Sequence, residues 1–223
     1  MFSFLKRNDI VLYYYGVIDF VLFAMLFRRF VTTSTPLQYT ELSIEVILVM
    51  YVVDLLSGIL HIFLDTYTGN NIYIIPHAIG FQKHHEDPHE FCTRAIHRVF
   101  VEPALPTMVC GLLFLIDGSI FIYSANYLLC QLLFMVCMLS VQLTHFQAHC
   151  INHSTLNPLA TRVLLFFQNI RVILNTKDHR KHHTTFDTNF CIFNGWANPL
   201  VNWYYRWSRT TVLNKNMEDK AVL

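Results

Sequence analysis

Four apolar runs constrain this chain more than anything else in it. They cover about residues 10–27, 42–64, 101–123 and 127–146, each near the roughly 20 residues that a helix needs to cross hydrocarbon. In lipid, every backbone polar group must be satisfied within the segment, which leaves helices or closed barrels. Runs of this length, without strand-like alternation, select helices. The composition agrees: 54% of residues are hydrophobic and only 14% charged, against about 25% charged in soluble domains. The expected class is therefore all-α, an integral membrane bundle of four transmembrane helices. The reading takes 1–223 as a single domain with its core at about 42–207 and a polar tail at 208–223.

Lys6 and Arg7 precede the first run, as they would in a signal peptide. The run is too long for that, and no small-x-small cleavage site follows, so it reads as an uncleaved span. The third and fourth runs are separated only by residues around 124–126 and form a helical hairpin. A fifth apolar stretch, 156–174, differs. Leu159, Val163, Phe166, Phe167, Ile170, Ile173 and Leu174 share a face, while Arg162, Asn169 and Arg171 lie elsewhere. That pattern suits a helix lying in the membrane interface.

Four spans put both termini on one side, together with the 65–100 loop. Arg28 and Arg29 lie on the other side, and the remaining 14 of 16 Lys and Arg share the side of the termini. The positive-inside rule makes that side cytoplasmic. The net charge of +1 gives no reason to expect a nucleic-acid partner. The six cysteines, Cys92, Cys110, Cys130, Cys137, Cys150 and Cys191, show no CxxC spacing and read as reduced, buried thiols.

The chemistry gathers on the same face. His61, His84, His85, His145, His149, His179, His182 and His183 sit at the ends of apolar runs or just after them. Asp54, Gly58, His61 and Asp65 are spaced four, three and four apart, which places them on one helical face. Adjacent His84 and His85 point about 100° apart on a helix, so they approach two metals or flank one. His145 with His149, and His179 with His182 and His183, are single-face pairs. Eight imidazoles exceed what one metal can hold, and imidazole suits zinc, copper, iron and nickel. A hydrolytic zinc site needs only three ligands and an open position, so the surplus favours two irons and oxygen chemistry. Asp54, Asp65, Asp187 and Asn189 are candidates to support the ligands. His77, His89, His97 and His153 stand outside the set.

These motifs resemble the Kua family of membrane lipid desaturases, which includes plasmanylethanolamine desaturase and a plastid fatty-acid desaturase. The resemblance rests on Asp54 through His61 with Asp65, on His84-His85-Glu86-Asp87-Pro88, and on Gln142 through His149. It continues with His179-Arg180-Lys181-His182-His183, the segment from Asn189 to Gly195, and Asn198. It covers about residues 45–205. Asp178 departs from it, standing where the plasmalogen branch carries another histidine. The resemblance implies two iron ions held by the eight histidines, with molecular oxygen as co-substrate. It further implies a membrane lipid as substrate and electrons from a cytochrome b-type or ferredoxin donor. The expected activity is the formation of a lipid double bond at the endoplasmic reticulum, with the plasmalogen vinyl ether first in order. An acyl-lipid desaturase or hydroxylase on the same scaffold is the alternative. A zinc-dependent lipid hydrolase leaves five histidines unused. A metal transporter would place its ligands near the bilayer midplane instead of at one face.

Overall fold

The computed structural model describes residues 2–72, 74–93, 96–120, 124–151 and 158–221. His153 lies outside them, as does the side chain of His97. Among the described residues the chain is all helical. Its elements are α1 (Phe2–Thr32), α2 (Tyr39–Thr66), α3 (Ile75–Glu86), α4 (Pro88–Cys92) and α5 (Ile96–Val101). They continue with α6 (Ala104–Ile120), α7 (Ala125–Cys150), α8 (Pro158–Asn169), α9 (Thr176–Thr185) and α10 (Asn198–Ala221). Four segments are long and apolar enough to cross a membrane: Ile10–Thr32, Tyr39–Thr66, Arg98–Asp117 and Ala125–Cys150. They coincide with the four apolar runs, and α6 and α7 are the expected consecutive pair.

The chain packs as two compact units, and the boundaries fall inside α2 and α7. The first unit comprises Met1–Val53 and Thr93–Phe146. Its core sets Leu22 and Leu26 of α1 against Leu132 and Met135 of α7, with Met108, Phe114 and Leu115 of α6 packed on them. Gly111 allows this approach, since a Cβ there would stand 3.1 Å from both Leu22 Cδ1 and Met135 Cε. Close contact through small residues is how membrane helices gain packing energy without a hydrophobic drive between them. The α1–α2 connection is tied to the start of α7. Asn126 exchanges two 2.9 Å hydrogen bonds with the Gln38 backbone, and the Ala125 N–H donates to Thr35 Oγ1 at 2.8 Å.

The second unit comprises Asp54–Cys92 and Gln147–Leu223. Here α8 has 12 residues, about 18 Å at 1.5 Å per residue, too short to span. It exposes Leu159, Val163, Phe166 and Phe167, the face expected for an interfacial helix. The helix ends at Asn169, before the last apolar residues of the stretch. Gln168 is buried there and accepts from Asn175 Nδ2 and Thr176 Oγ1, while Arg171 turns left-handed at φ 58°. Leu174 is consequently drawn into the interior. The expected loose tail also differs from the structure, for α10 runs on to Ala221. The segment beyond Thr210 contains no glycine or proline, so nothing in it breaks a helix.

The reading of all six cysteines as reduced thiols is corrected by a disulfide between Cys92, at the end of α4, and Cys150, at the end of α7, with Cα atoms 5.4 Å apart. The two are 58 residues apart, so no local spacing announces them; the fold alone brings them together. Closing a loop of that length removes about 4 kcal/mol of unfolded-state entropy on the chain-entropy account. Cys110, Cys130, Cys137 and Cys191 are free. Alkylation of the denatured, unreduced protein is therefore expected to label these four thiols, and all six after reduction. Six labelled before reduction would contradict the bond.

Candidate metal centre

Four helices supply the ligand-type side chains. One face of α2 carries His61 and Asp65, and α3 carries His84 and His85 in its last turn. His145 and His149 close α7, and α9 carries His179, His182 and His183. The polar α9 is fixed by its ends. Asn175 caps it by accepting from the Lys177 N–H at 2.9 Å, and Phe186 closes it in the left-handed conformation. An Asx cap of this kind contributes about 1 kcal/mol. Asp178, the departure from the family pattern, faces Arg171 in a 2.5 Å ion pair and so braces the approach to α9.

The ligand-type side chains that belong to the second unit divide into two groups. In the first, His149 Nε2 lies 2.8 Å from His179 Nε2, which lies 3.1 Å from His183 Nε2. The His84 ring joins them, its centroid 5.5 Å from that of His149 and 4.8 Å from that of His183. On the same helical face as His149, one turn earlier, α7 carries the buried His145, whose Nδ1–H donates to Gln142 Oε1 at 3.1 Å. In the second group, three imidazoles surround one carboxylate. His61 Nε2 is 3.3 Å from Asp65 Oδ2, His85 Nε2 is 3.1 Å from Oδ1, and His182 Nε2 is 3.5 Å from Oδ2. The adjacent histidines thus part company: His84 and His183 face the first group, His85 and His182 the second.

The protonation state of three of these histidines favours metal binding. Burial holds His84, His179 and His183 well below the ordinary imidazole range, and the neighbouring imidazoles add to the effect. Neutral imidazole is the form that ligates a metal. The outer nitrogens fix which lone pair turns inward. His61 Nδ1–H donates to Phe190 O and His182 Nδ1–H to Thr188 O, both at 2.8 Å, and His84 Nδ1–H donates to Phe81 O. A hydrogen bond on Nδ1 leaves Nε2 as the ligating atom and orients the ring. Imidazoles converging in two clusters, one with a carboxylate, fit a pair of divalent transition metals.

Two of those carbonyls belong to the segment 188–198, which is wrapped around Asp54. The carboxylate is fully buried. Its Oδ1 accepts from the backbone N–H of Phe193, Asn194 and Gly195 at 3.2, 2.8 and 3.0 Å, and its Oδ2 from that of Ala197 at 2.8 Å. Ser57 Oγ accepts from Ile192 N–H and Asn198 Oδ1 from Cys191 N–H, each at 3.0 Å. Asn189 and Gly195 take positive φ, 58° and 84°, which suits Asn and Gly. Asn189 also donates to Asp178 O at 3.0 Å, so it anchors the segment and does not face a cluster. Asp187 is exposed. Gly58 is where the segment presses closest to α2: a Cβ would stand 2.6 Å from Cys191 Sγ and 3.3 Å from Val201 Cγ2. Gly58→Ala is expected to destabilise the chain by about 1–3 kcal/mol through overpacking. A thermal unfolding midpoint equal to that of the parent would count against this contact.

Spacing alone did not reveal Ser57, the Phe190 and Thr188 carbonyls, or Phe91. The Phe91 ring packs 5.3 Å from His149 and 5.9 Å from His84, next to the Cys92–Cys150 bond. Backbone carbonyls leave no mark in residue identity. Phe91 is one apolar residue among many, and only Ser57, beside Gly58 on α2, carried a polar signal.

Residues 50–217 match the family model of the lipid desaturase domain. Neither the curated proteins nor the solved structures contain a match to the chain. The matched span holds every histidine of both clusters, Asp54 and Asp65, and the segment that supports them. With four helices long and apolar enough to cross a membrane and a match over most of its length, the chain belongs to the lipid desaturase family.

Proposed function

We propose that the protein is a membrane lipid desaturase with two metal positions. One is ligated by His84, His149, His179 and His183 with His145 as the fifth imidazole, the other by His61, His85 and His182 with Asp65. The single observation that carries this reading is the division of eight imidazoles into two buried clusters within the matched domain. Iron is the metal proposed, and the whole chain acts as one domain around a core at about 42–207. Bound iron would supply activation of molecular oxygen, which takes two electrons from a cytochrome b-type or ferredoxin donor, two protons from solvent and two hydrogens from the lipid chain, with release of two waters. The protein's own residues hold and shield that centre. The segment 188–198 and its Asp54 clamp orient His61 and His182. Asp65 balances charge among three imidazoles, and Phe91 walls the first cluster with apolar surface. Keeping water out protects a strong oxidant from being quenched.

The substrate proposed is a plasmanylethanolamine-type ether lipid, the product its vinyl ether, and the location the endoplasmic reticulum. The distribution of Lys and Arg supports a cytoplasmic face for the termini and the clusters. The Cys92–Cys150 bond lies on that same face, and cytosolic disulfides are uncommon. The orientation proposed follows the charge distribution, which draws on 14 residues and acts directly on insertion.

The test is lipid mass spectrometry after expression in cells lacking plasmanylethanolamine desaturase, with His182→Ala as control. Acid-labile vinyl-ether lipid is expected from the intact chain only. A new acyl double bond or hydroxyl in its place would keep the oxygen chemistry and move the substrate to acyl lipids. Unchanged lipids, with a compatible donor co-expressed, would overturn the proposal.

A further inference from the structure

We infer that the outer face of α10 is a membrane-interface anchor, seated among the headgroups and upper acyl chains of the bilayer that the four spans cross. This does not depend on the reaction proposed above. Leu200, Trp203, Tyr204 and Trp207 fall at i, i+3, i+4 and i+7, one face of a helix. All four side chains are exposed, Trp203 by 63% and Trp207 by 55%. The opposite side of the same turns is buried, with Val201 and Tyr205 turned inward and Tyr205 against the Phe190 ring at 4.7 Å. The helix therefore has an inner apolar face that is buried and an outer aromatic one that is exposed. Large aromatic residues held in the open need a medium that accepts them.

Three observations identify that medium as lipid. First, α10 starts beside a membrane span. Val201 approaches Gly58 of α2 closely enough to be 3.3 Å from a Cβ placed there, and at that level α2 exposes Ile59, Leu60 and Phe63. The helix thus begins against a membrane span whose neighbouring residues are exposed and apolar. Second, the residues are of the interfacial type. Trp and Tyr combine an apolar ring with a polar N–H or O–H and gather where hydrocarbon meets headgroup; a helix bound for a protein core would use Leu and Ile. Third, the charge is complementary to lipid phosphate. Arg206 is exposed in the same turns and no Asp or Glu occurs between residues 198 and 217, while Arg209 donates to the hydroxyl of the inward-turned Tyr205 at 3.2 Å. Long basic side chains reach headgroups while their stems stay in apolar surroundings. With α8, the second unit then has two helices lying in the interface, flanking α9 and the segment that orients the histidines.

Tryptophan quenching tests this directly. The chain has three tryptophans, Trp196, Trp203 and Trp207, so a Trp196→Phe variant reports from α10 alone. The full chain is placed in phosphatidylcholine nanodiscs whose acyl chains are brominated near the headgroup or near the chain end. Emission is expected to fall about twofold or more with shallow bromine, and much less with deep bromine, as interfacial indoles should. Stronger quenching by deep bromine would place the helix inside the hydrocarbon and overturn the inference. Insensitivity to both lipids would also overturn it; aqueous acrylamide would then tell a solvated face, which it quenches, from one covered by a protein partner or a second copy, which it does not. Should Trp196→Phe fail to fold, the parent is compared with the Trp203→Phe/Trp207→Phe double variant. The bromine-sensitive emission must then disappear with the two α10 indoles, and its persistence would overturn the assignment.

Discussion

His182→Ala is expected to insert into the membrane at parental levels, to hold about one metal per chain against the two expected of the parent, and to lose more than about a hundredfold in desaturation. The size follows from its place. His182 is fully buried, its Nε2 faces the Asp65 carboxylate, and its Nδ1 is held by the Thr188 carbonyl. Loss of a residue that merely supports a ligand typically costs 10–100-fold in affinity or activity; loss of the ligand itself should exceed this. Alanine also leaves Asp65 facing two imidazoles where it faced three, which weakens the second cluster and spares the first. Elemental analysis of the purified variant reads the stoichiometry without recourse to activity. Two metals still bound would remove His182 from the ligand set.

Asp54→Ala is expected to have the largest effect on stability. Four backbone N–H groups, those of Phe193, Asn194, Gly195 and Ala197, converge on this carboxylate in the interior. A buried donor without an acceptor costs about 1–3 kcal/mol. Four of them approach the whole 5–15 kcal/mol by which a typical domain is stable. The variant should accumulate poorly, and what accumulates should bind little metal, because the Phe190 and Thr188 carbonyls shift with the segment. Asp54→Asn is the informative companion. One amide oxygen can keep the three bonds made at Oδ1, but the amide NH2 then meets the Ala197 N–H, donor against donor. Its unfolding midpoint should fall between those of parent and alanine variant, with metal partly retained. An alanine variant with parental stability and full metal would show that the clamp contributes nothing.

Much of the architecture was legible in the residues because membranes impose simple rules. An apolar run must satisfy its own backbone, so four runs meant four helices, and amphipathicity alone set the 156–174 stretch apart from the spans. The histidines were legible for a related reason. Spacings of three and four place side chains on one helical face whatever the tertiary structure, so His145 with His149 and His179 with His182 and His183 could be paired from the sequence. Asp54 and Asp65 stood out because a carboxylate in a span needs a partner.

What remained hidden was whatever depends on residues distant in the chain. That His84 joins one cluster and His85 the other follows from how α3 meets α9, which no spacing within α3 can encode. The three imidazoles that meet at Asp65 come from three helices, a convergence that no local spacing can encode. The Cys92–Cys150 bond was misread because disulfide geometry is a matter of Cα separation in space. The clamp around Asp54 was invisible in detail because its donors are backbone N–H groups, alike in every non-proline residue. The sequence by itself determined the solvent in which this protein folds and the chemical identity of its donors, since hydropathy and ligand type are properties of single residues and their neighbours. Only the tertiary structure decided how the donors are shared between two clusters and what holds them there, since those are relations between helices that the chain brings together last.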